Sequence, residues 1–271
     1  MLIKLFAVLS VLIETVLVYC TDWVNGWKDF WIPIVLFLGL FFGMIIAYIL
    51  MIFIISLFLG VKKPKENKPS KVCKFFIDYT AQAVLTFLRG SYVVTGMEKI
   101  PTNRRFLLVC NHRSGLDPFA SVPAFRKYNI SYISKPENFK IPMVDPFLSH
   151  TCYMTIDREN ARNAMKTLHR ATDLVKNDVV SIGIYPEGTR SRTGKLLEFK
   201  DGVFYIAKKS PCPIVVVTVQ NAENVFKRFP FKRTVVKLDV LACIEPESFE
   251  KKSTHEISEE VRNMMLEHLG E

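Results

Sequence analysis

Three stretches of the chain carry residue types whose spacing could do chemistry. The first is Asn111-His112-Arg113-Ser114-Gly115-Leu116-Asp117-Pro118. His112 and Asp117 are five residues apart, so on one helix they would lie about 140° out of phase and could not meet. A turn containing Ser114 and Gly115 lets them meet. A carboxylate on one imidazole nitrogen fixes the tautomer and leaves the other nitrogen free to accept a proton. The pair reads as a general base with its orienter. The plainer reading makes Asp117 a helix N-cap ahead of Pro118, and His112 a residue of the turn.

The second stretch is Tyr185-Pro186-Glu187-Gly188-Thr189-Arg190-Ser191-Arg192. Gly188 lets backbone approach a ligand closely. Arg190 presents a planar fork of donors that matches a phosphate. Arg192 and Lys195 add positive charge, although an ordinary polar loop would look similar. The third stretch, Phe199-Lys200-Asp201-Gly202, opens a helical pattern at Val203. A helix N-terminus beside a lysine suits an anion, and Asp201 is also placed to cap that helix.

These stretches need elements to hold them. Each of the first two leaves an apolar, β-rich run. Strands are predicted at Phe106–Cys110, Ile130–Ser134, Val179–Tyr185, Ile214–Val219 and Val235–Ile244. Helices are predicted at Val72–Leu88, Pro118–Lys127, Asn160–Asn177, Val203–Ser210 and His255–Leu269. The alternation predicts an α/β fold with helices around a central, mostly parallel sheet.

The composition divides the chain. It has 271 residues, 49% hydrophobic, yet a formal net charge of +10. Residues 1–61 hold Lys4 and Lys28 against Glu14, Asp22 and Asp29, so the basic excess lies wholly in residues 62–271. This excludes a disordered basic tail and a small disulfide scaffold. A basic body points to anionic partners such as lipid head groups, a phosphorylated substrate or an acidic carrier. The six cysteines show no metal-type spacing and read as buried thiols in a reducing compartment.

From Phe30 to Leu59 no residue is charged, and Trp23, Trp27 and Trp31 cluster around the start of this run as an interfacial belt would. A helix of that length is long enough to cross a bilayer. Residues 2–20 are apolar apart from Lys4 and Glu14. They read as a second crossing, an interfacial helix or a signal peptide. The internal Glu14 and the lack of an Ala-x-Ala site favour a hairpin over cleavage. The organisation predicted is an anchor over residues 1–60, a basic linker over 61–71 and a catalytic domain over 72–271. Five lysines in 62–71 predict that this side faces the cytoplasm.

Taken in order, the motifs resemble the 1-acyl-sn-glycerol-3-phosphate acyltransferases of the glycerolipid acyltransferase family. The resemblance rests on Asn111-His112-x4-Asp117, Thr155-Ile156-Asp157-Arg158, Tyr185 to Ser191 with Phe199-Lys200-x-Gly202, and the proline-led strand Pro213–Val217. Two positions depart from the family pattern: Ser149 to Tyr153 lack its glycine, and Val216 stands where it has a second proline.

The resemblance implies that His112, held by Asp117, deprotonates the sn-2 hydroxyl of lysophosphatidate. The hydroxyl would then attack an acyl thioester directly and give phosphatidate. Glu187, Gly188, Thr189 and Arg190 would hold the glycerol-phosphate, with Arg158 and Lys200 adding charge. Lys135 would stand near the reacting carbonyl. No cofactor or metal is implied; acyl-CoA or acyl carrier protein would be the donor, and no nucleic acid is a partner. The alternatives are another lysophospholipid or glycerol-3-phosphate as acceptor, or a non-catalytic membrane protein that binds anionic lipid.

Overall fold

A computed structural model describes residues 2–21, 23–61 and 67–271. It divides into two compact units, Met1–Lys63 and Pro64–Glu271. The first unit is helical, with α1 (Leu2–Thr21) and α2 (Trp31–Val61). The Phe6 ring meets Tyr48 edge-on at 6.1 Å, so the start of α1 lies against the later part of α2, as in a hairpin. Apolar side chains such as Leu12, Val16, Ile46 and Phe58 point outward. The buried hydroxyls of Ser10 and Ser56 bond back to the carbonyls of Phe6 and Phe53, which satisfies them without water. Both helices have the length and composition to cross a membrane. The expected basic linker falls partly on residues 62–66, which lie outside the described residues.

The second unit holds seven strands: β1 (Gly90–Thr95), β2 (Leu107–Cys110), β3 (Ile130–Ser134), β4 (Met154–Thr155), β5 (Ser181–Ile184), β6 (Ile214–Gln220) and β7 (Thr234–Ile244). They form one sheet in the order β1-β7-β6-β2-β5-β3-β4. Every neighbouring pair is parallel except β6 and β7. The helices are α3 (Lys71–Phe87), α4 (Asp117–Ala124), α5 (Asp145–Ser149), α6 (Ala161–Lys176), α7 (Tyr205–Lys209), α8 (Asn224–Arg228), α9 (Pro246–Phe249) and α10 (Thr254–Leu269). This is the expected α/β architecture around a mostly parallel sheet.

The apolar runs are apolar because both sheet faces are covered. Alternation along β2 sends Leu107 and Val109 to one layer, with Leu168, Val175, Ile206, Val261 and Met265 of α6, α7 and α10. It sends Leu108 and Cys110 to the other layer, with Leu85, Ala120 and Val122 of α3 and α4. Because β2, β3, β5 and β6 run parallel, the loops after them emerge at one edge of the sheet. That edge receives all three chemistry-bearing stretches.

Several elements differ from expectation. β1 and β4 lie outside the predicted strands. α4 stops at Ala124, and a 3-10 turn over Arg126–Tyr128 completes the segment up to Asn129, which takes a φ of +49°. Residues 201–204 form a 3-10 turn ahead of α7, and Asp201 makes no cap; its carboxylate pairs instead with His255 Nδ1 at 3.0 Å. Cys20 is exposed on α1 and Cys243 half-buried, so only four of the six thiols are buried. A thiol on an outward, apolar helix face needs no burial inside the protein.

Candidate active site

β2 ends at Cys110, and Asn111 fastens the turn that carries His112 to the sheet. Its side-chain Oδ1 accepts from the Val219 N–H at 2.6 Å, and its Nδ2 donates to the Val219 carbonyl at 3.1 Å. The asparagine thus imitates a strand neighbour of β6. The next turn brings His112 Nδ1 to 2.8 Å from Asp117 Oδ2. The same oxygen accepts from the N–H groups of Arg113 at 2.8 Å and Ser114 at 2.7 Å.

Asp117 therefore faces back into the turn instead of capping a helix. It sits at the first position of α4, with Leu116 as the N-cap. The carboxyl is fully buried, and its other oxygen, Oδ1, has no hydrogen-bond partner among the described residues. Burial pushes its pKa up from the ordinary carboxylate value; the bond to His112 and the Ser114 and Arg113 N–H groups oppose that rise. Three donors converging on one oxygen select the tautomer with the His112 proton on Nδ1, which leaves Nε2 with a lone pair. The Tyr185 ring stacks on the imidazole at 4.5 Å and 28°, and its hydroxyl lies 2.9 Å from Ser121 Oγ.

Glu187 has a different place from the one expected. It is only 3% exposed. Its Oε1 accepts from the His112 N–H at 2.5 Å, and its Oε2 accepts from the Leu197 N–H at 3.0 Å. Both oxygens are thus engaged within the protein, and the residue joins the His112 turn to the loop after β5. Burial raises its pKa, while the two N–H groups work the other way. A second bridge runs alongside: Glu271 accepts from the Arg113 guanidinium and, at 2.6 Å, from the Leu196 N–H. Two carboxylates therefore link residues 112 and 113 to residues 196 and 197.

The cations gather around glycines. Gly188 has a φ of +70°, a region that disfavours a side chain. The space its Cβ would take lies 3.8 Å from Lys200 Cγ and 3.9 Å from Arg158 Nε. Partial burial lowers the Arg158 pKa from its ordinary value, with Glu137 opposing. Gly115, inside the His112–Asp117 turn, leaves room for Arg190, whose Nη1 would lie 3.1 Å from a Cβ there. Thr189 is exposed beside it. Ser191 N–H bonds the His112 carbonyl at 2.9 Å, and Lys200 N–H bonds the Pro186 carbonyl at 2.9 Å, so the two loops are held together by backbone. Lys135 follows the end of β3, two strands from β2, on the same sheet edge.

The structure thus brings His112, Asp117, Glu187 and Arg190 together, and groups Gly188 with Arg158 and Lys200. Sequence reasoning missed Asn111 as a clamp, Tyr185 as a stacking partner and Glu271 as a bridge. Asn111 and Tyr185 were visible as motif residues flanking the chemistry; Glu271 left no signal, because it lies 158 residues from Arg113.

Comparison with known proteins supplies an independent view. A family model described as Acyltransferase matches residues 91–220. The chain is 30% identical over 182 residues to the 1-acyl-sn-glycerol-3-phosphate acyltransferase of Saccharomyces cerevisiae, covering 66% of this chain and 59% of that protein. It is 26% identical over 194 residues to the enzyme of the same name from Cocos nucifera, covering 71% of this chain and 62% of that one. The chain thus spans less than two thirds of the length of these relatives. Among solved structures, the 1-acyl-sn-glycerophosphate (LPA) acyltransferase PlsC from Thermotoga maritima superposes with a TM-score of 0.59 at 26% identity. That match covers 83% of this chain and 92% of the other.

Proposed function

Given that a family model described as Acyltransferase matches residues 91–220, we propose that this protein transfers an acyl group from a thioester to the sn-2 hydroxyl of lysophosphatidate. The observation that carries the reading is the 2.8 Å bond from His112 Nδ1 to a buried Asp117, set against a group of arginines and a lysine. Its relatives' names and its two apolar helices support a lipid acceptor presented at a membrane. The lysines after α2 support a cytoplasmic site.

His112 Nε2 accepts the proton of the acceptor hydroxyl as that oxygen attacks the thioester carbonyl. The Asp117 carboxylate stabilises the imidazolium as it forms. The carbonyl π electrons move onto oxygen, and the tetrahedral intermediate then collapses. The C–S bond breaks, and the thiolate leaves with the proton from Nε2, so His112 ends as it began. No covalent acyl-enzyme is formed. Lys135 or backbone N–H groups at this sheet edge stabilise the oxyanion. Arg190, Arg158 and Lys200 meet the acceptor phosphate around Gly188, where bare backbone lets it approach. Glu187 holds the backbone of His112 and Leu197 at the edge of that phosphate site. The donor is acyl-CoA or acyl carrier protein, both anionic and suited to a basic surface.

The test is an acceptor and donor matrix on the full chain in lipid vesicles. Lysophosphatidate, other lysophospholipids and glycerol-3-phosphate are each offered with both donors. Phosphatidate formed fastest from lysophosphatidate supports the reading. Faster acylation of another acceptor replaces the substrate, and no transfer to any acceptor overturns the reaction.

A further inference from the structure

The loop between β6 and β7 repeats one pattern: Phe226-Lys227-Arg228-Phe229-Pro230-Phe231-Lys232-Arg233. Phe226 is 61% exposed and Phe231 87% exposed. The Phe229 ring lies tilted against Phe87 at 6.2 Å, at the end of α3, and Phe87 is itself half exposed. Val93 and Val235 are exposed as well, but Tyr92, Val94, Val236 and Leu238 face α3, so alternation puts Val93 and Val235 on the opposite face of the sheet, away from Phe87. The four basic side chains of the loop are exposed, and no ion pair of theirs is found among the described residues.

The loop is held in shape by its backbone. Phe229 N–H bonds the Val225 carbonyl at 3.1 Å, Lys232 N–H bonds the Arg228 carbonyl at 2.9 Å and Thr234 N–H bonds the Arg89 carbonyl at 3.1 Å. Asn221 Nδ2 adds a bond to the Val235 carbonyl at 2.8 Å. An apolar cluster fixed outward in water costs free energy unless something covers it. Unpaired cations interleaved with aromatics fit an anionic bilayer surface: rings enter the head-group boundary and cations stay among the phosphates. The chain's own apolar helices, long enough to span a bilayer, make that surface available. The loop also has the right place. β7 runs antiparallel to β6, so residues 221–233 turn at the sheet edge from which His112 emerges after β2.

We propose that residues 226–233, with Phe87, form a bilayer-docking surface specific for anionic lipid. Phe226 and Phe231 insert at the head-group boundary, and Lys227, Arg228, Lys232 and Arg233 meet lipid phosphates. Each cation contributes roughly fivefold to the loop's partitioning at low salt, and salt weakens it. The surface is a property of the fold and holds whether or not the acyl-transfer reading does.

The chain's three tryptophans all precede Pro33, which gives a clean reporter. The full chain carrying W23F/W27F/W31F and F231W is reconstituted in two kinds of vesicle, phosphatidylcholine alone and phosphatidylcholine with phosphatidylglycerol. Expected is blue-shifted emission in the anionic vesicles, quenched by lipids brominated on the acyl chain, with a smaller effect in the neutral ones. Adding K227Q/R228Q/K232Q/R233Q removes the difference between the two vesicles. F226W in place of F231W gives the same pattern and guards against a local fault. Water-like, unquenched emission in anionic vesicles overturns the proposal. Blue emission that brominated lipid does not quench also overturns it, since the cover is then protein, such as a second copy of the chain. A shift independent of the four cations overturns the specificity for anionic lipid.

Discussion

Replacing Asp117 by Asn tests the catalytic pair at the atom where the account is most specific. The amide oxygen can still accept from His112 Nδ1–H and from the Arg113 and Ser114 N–H groups that now meet Asp117 Oδ2. The amide nitrogen then falls where Oδ1 already lacks a partner. The geometry survives, and only the negative charge is lost. With charge centres about 4 Å apart and an effective dielectric of about 20, that charge favours the imidazolium by about 4 kcal/mol. Part of this is returned by the remaining dipole, so kcat falls by about 10²–10³. The acceptor KM stays close to wild type, because Asp117 is buried away from any ligand. Stability changes less. Burial raises the folded-state pKa of Asp117, so its ionised form is a net cost to folding at neutral pH. The amide NH2 left without an acceptor in that buried place opposes this by about 1–3 kcal/mol, so D117N melts close to the wild-type temperature near pH 7. Relative to the wild type, it loses stability as the pH falls through the folded-state pKa, where the wild type gains its proton. The assay is steady-state acyl transfer in vesicles beside thermal unfolding at several pH values. A kcat within threefold of wild type refutes the electrostatic role. A kcat loss accompanied by a large fall in Tm refutes the claim that the fold does not need this charge.

Glu187→Ala leaves the His112 and Leu197 N–H groups unpaired in a buried place, at about 1–3 kcal/mol each. Thermal unfolding is expected to show a drop in Tm of several degrees, with kcat falling while acceptor KM holds; a raised KM with unchanged Tm would restore Glu187 as a ligand. Arg190→Ala removes a cation beside the catalytic turn and raises the KM for lysophosphatidate by about tenfold with a smaller effect on kcat, measured by varying acceptor at saturating donor. Gly188→Ala forces a side chain into φ +70° and costs about 1–2 kcal/mol in unfolding free energy, while lowering acceptor affinity; a variant as stable and as tight as wild type would remove the argument from backbone approach.

Much of this molecule was legible in its sequence, and the illegible parts share a cause. β2, β5 and β6 announce themselves because burial on both faces makes them continuous apolar runs. β1 stays hidden, since an edge strand with one open face carries a mixed pattern, Gly90-Ser91-Tyr92-Val93-Val94-Thr95. β4 is only two residues long and exists through its neighbour β3. The His112–Asp117 contact was legible because the spacing fits a turn and the chemistry needs both groups. The direction of Asp117 was less so, because a carboxylate before proline looks like a cap whichever way it faces. Glu187 misled for a related reason. A glutamate between proline and glycine reads as a ligand loop until its burial is known, and burial depends on Leu197, ten residues on. Arg158 and Lys200 lie 42 residues apart yet flank one glycine, a proximity that only the packed sheet creates. In sequence, the basic residues of the β6–β7 loop counted only toward the body's total charge; their alternation with exposed phenylalanines became informative once the fold showed which side faces outward.

The most direct test of the central claim is the single-turnover rate of acyl transfer to lysophosphatidate by His112→Ala, in vesicles and with the acceptor bound to saturation. If Nε2 takes the hydroxyl proton, the rate falls by about 10²–10⁴ while acceptor affinity and Tm hold. Turnover within tenfold of wild type in a folded, acceptor-saturated H112A protein would contradict the mechanism at its core.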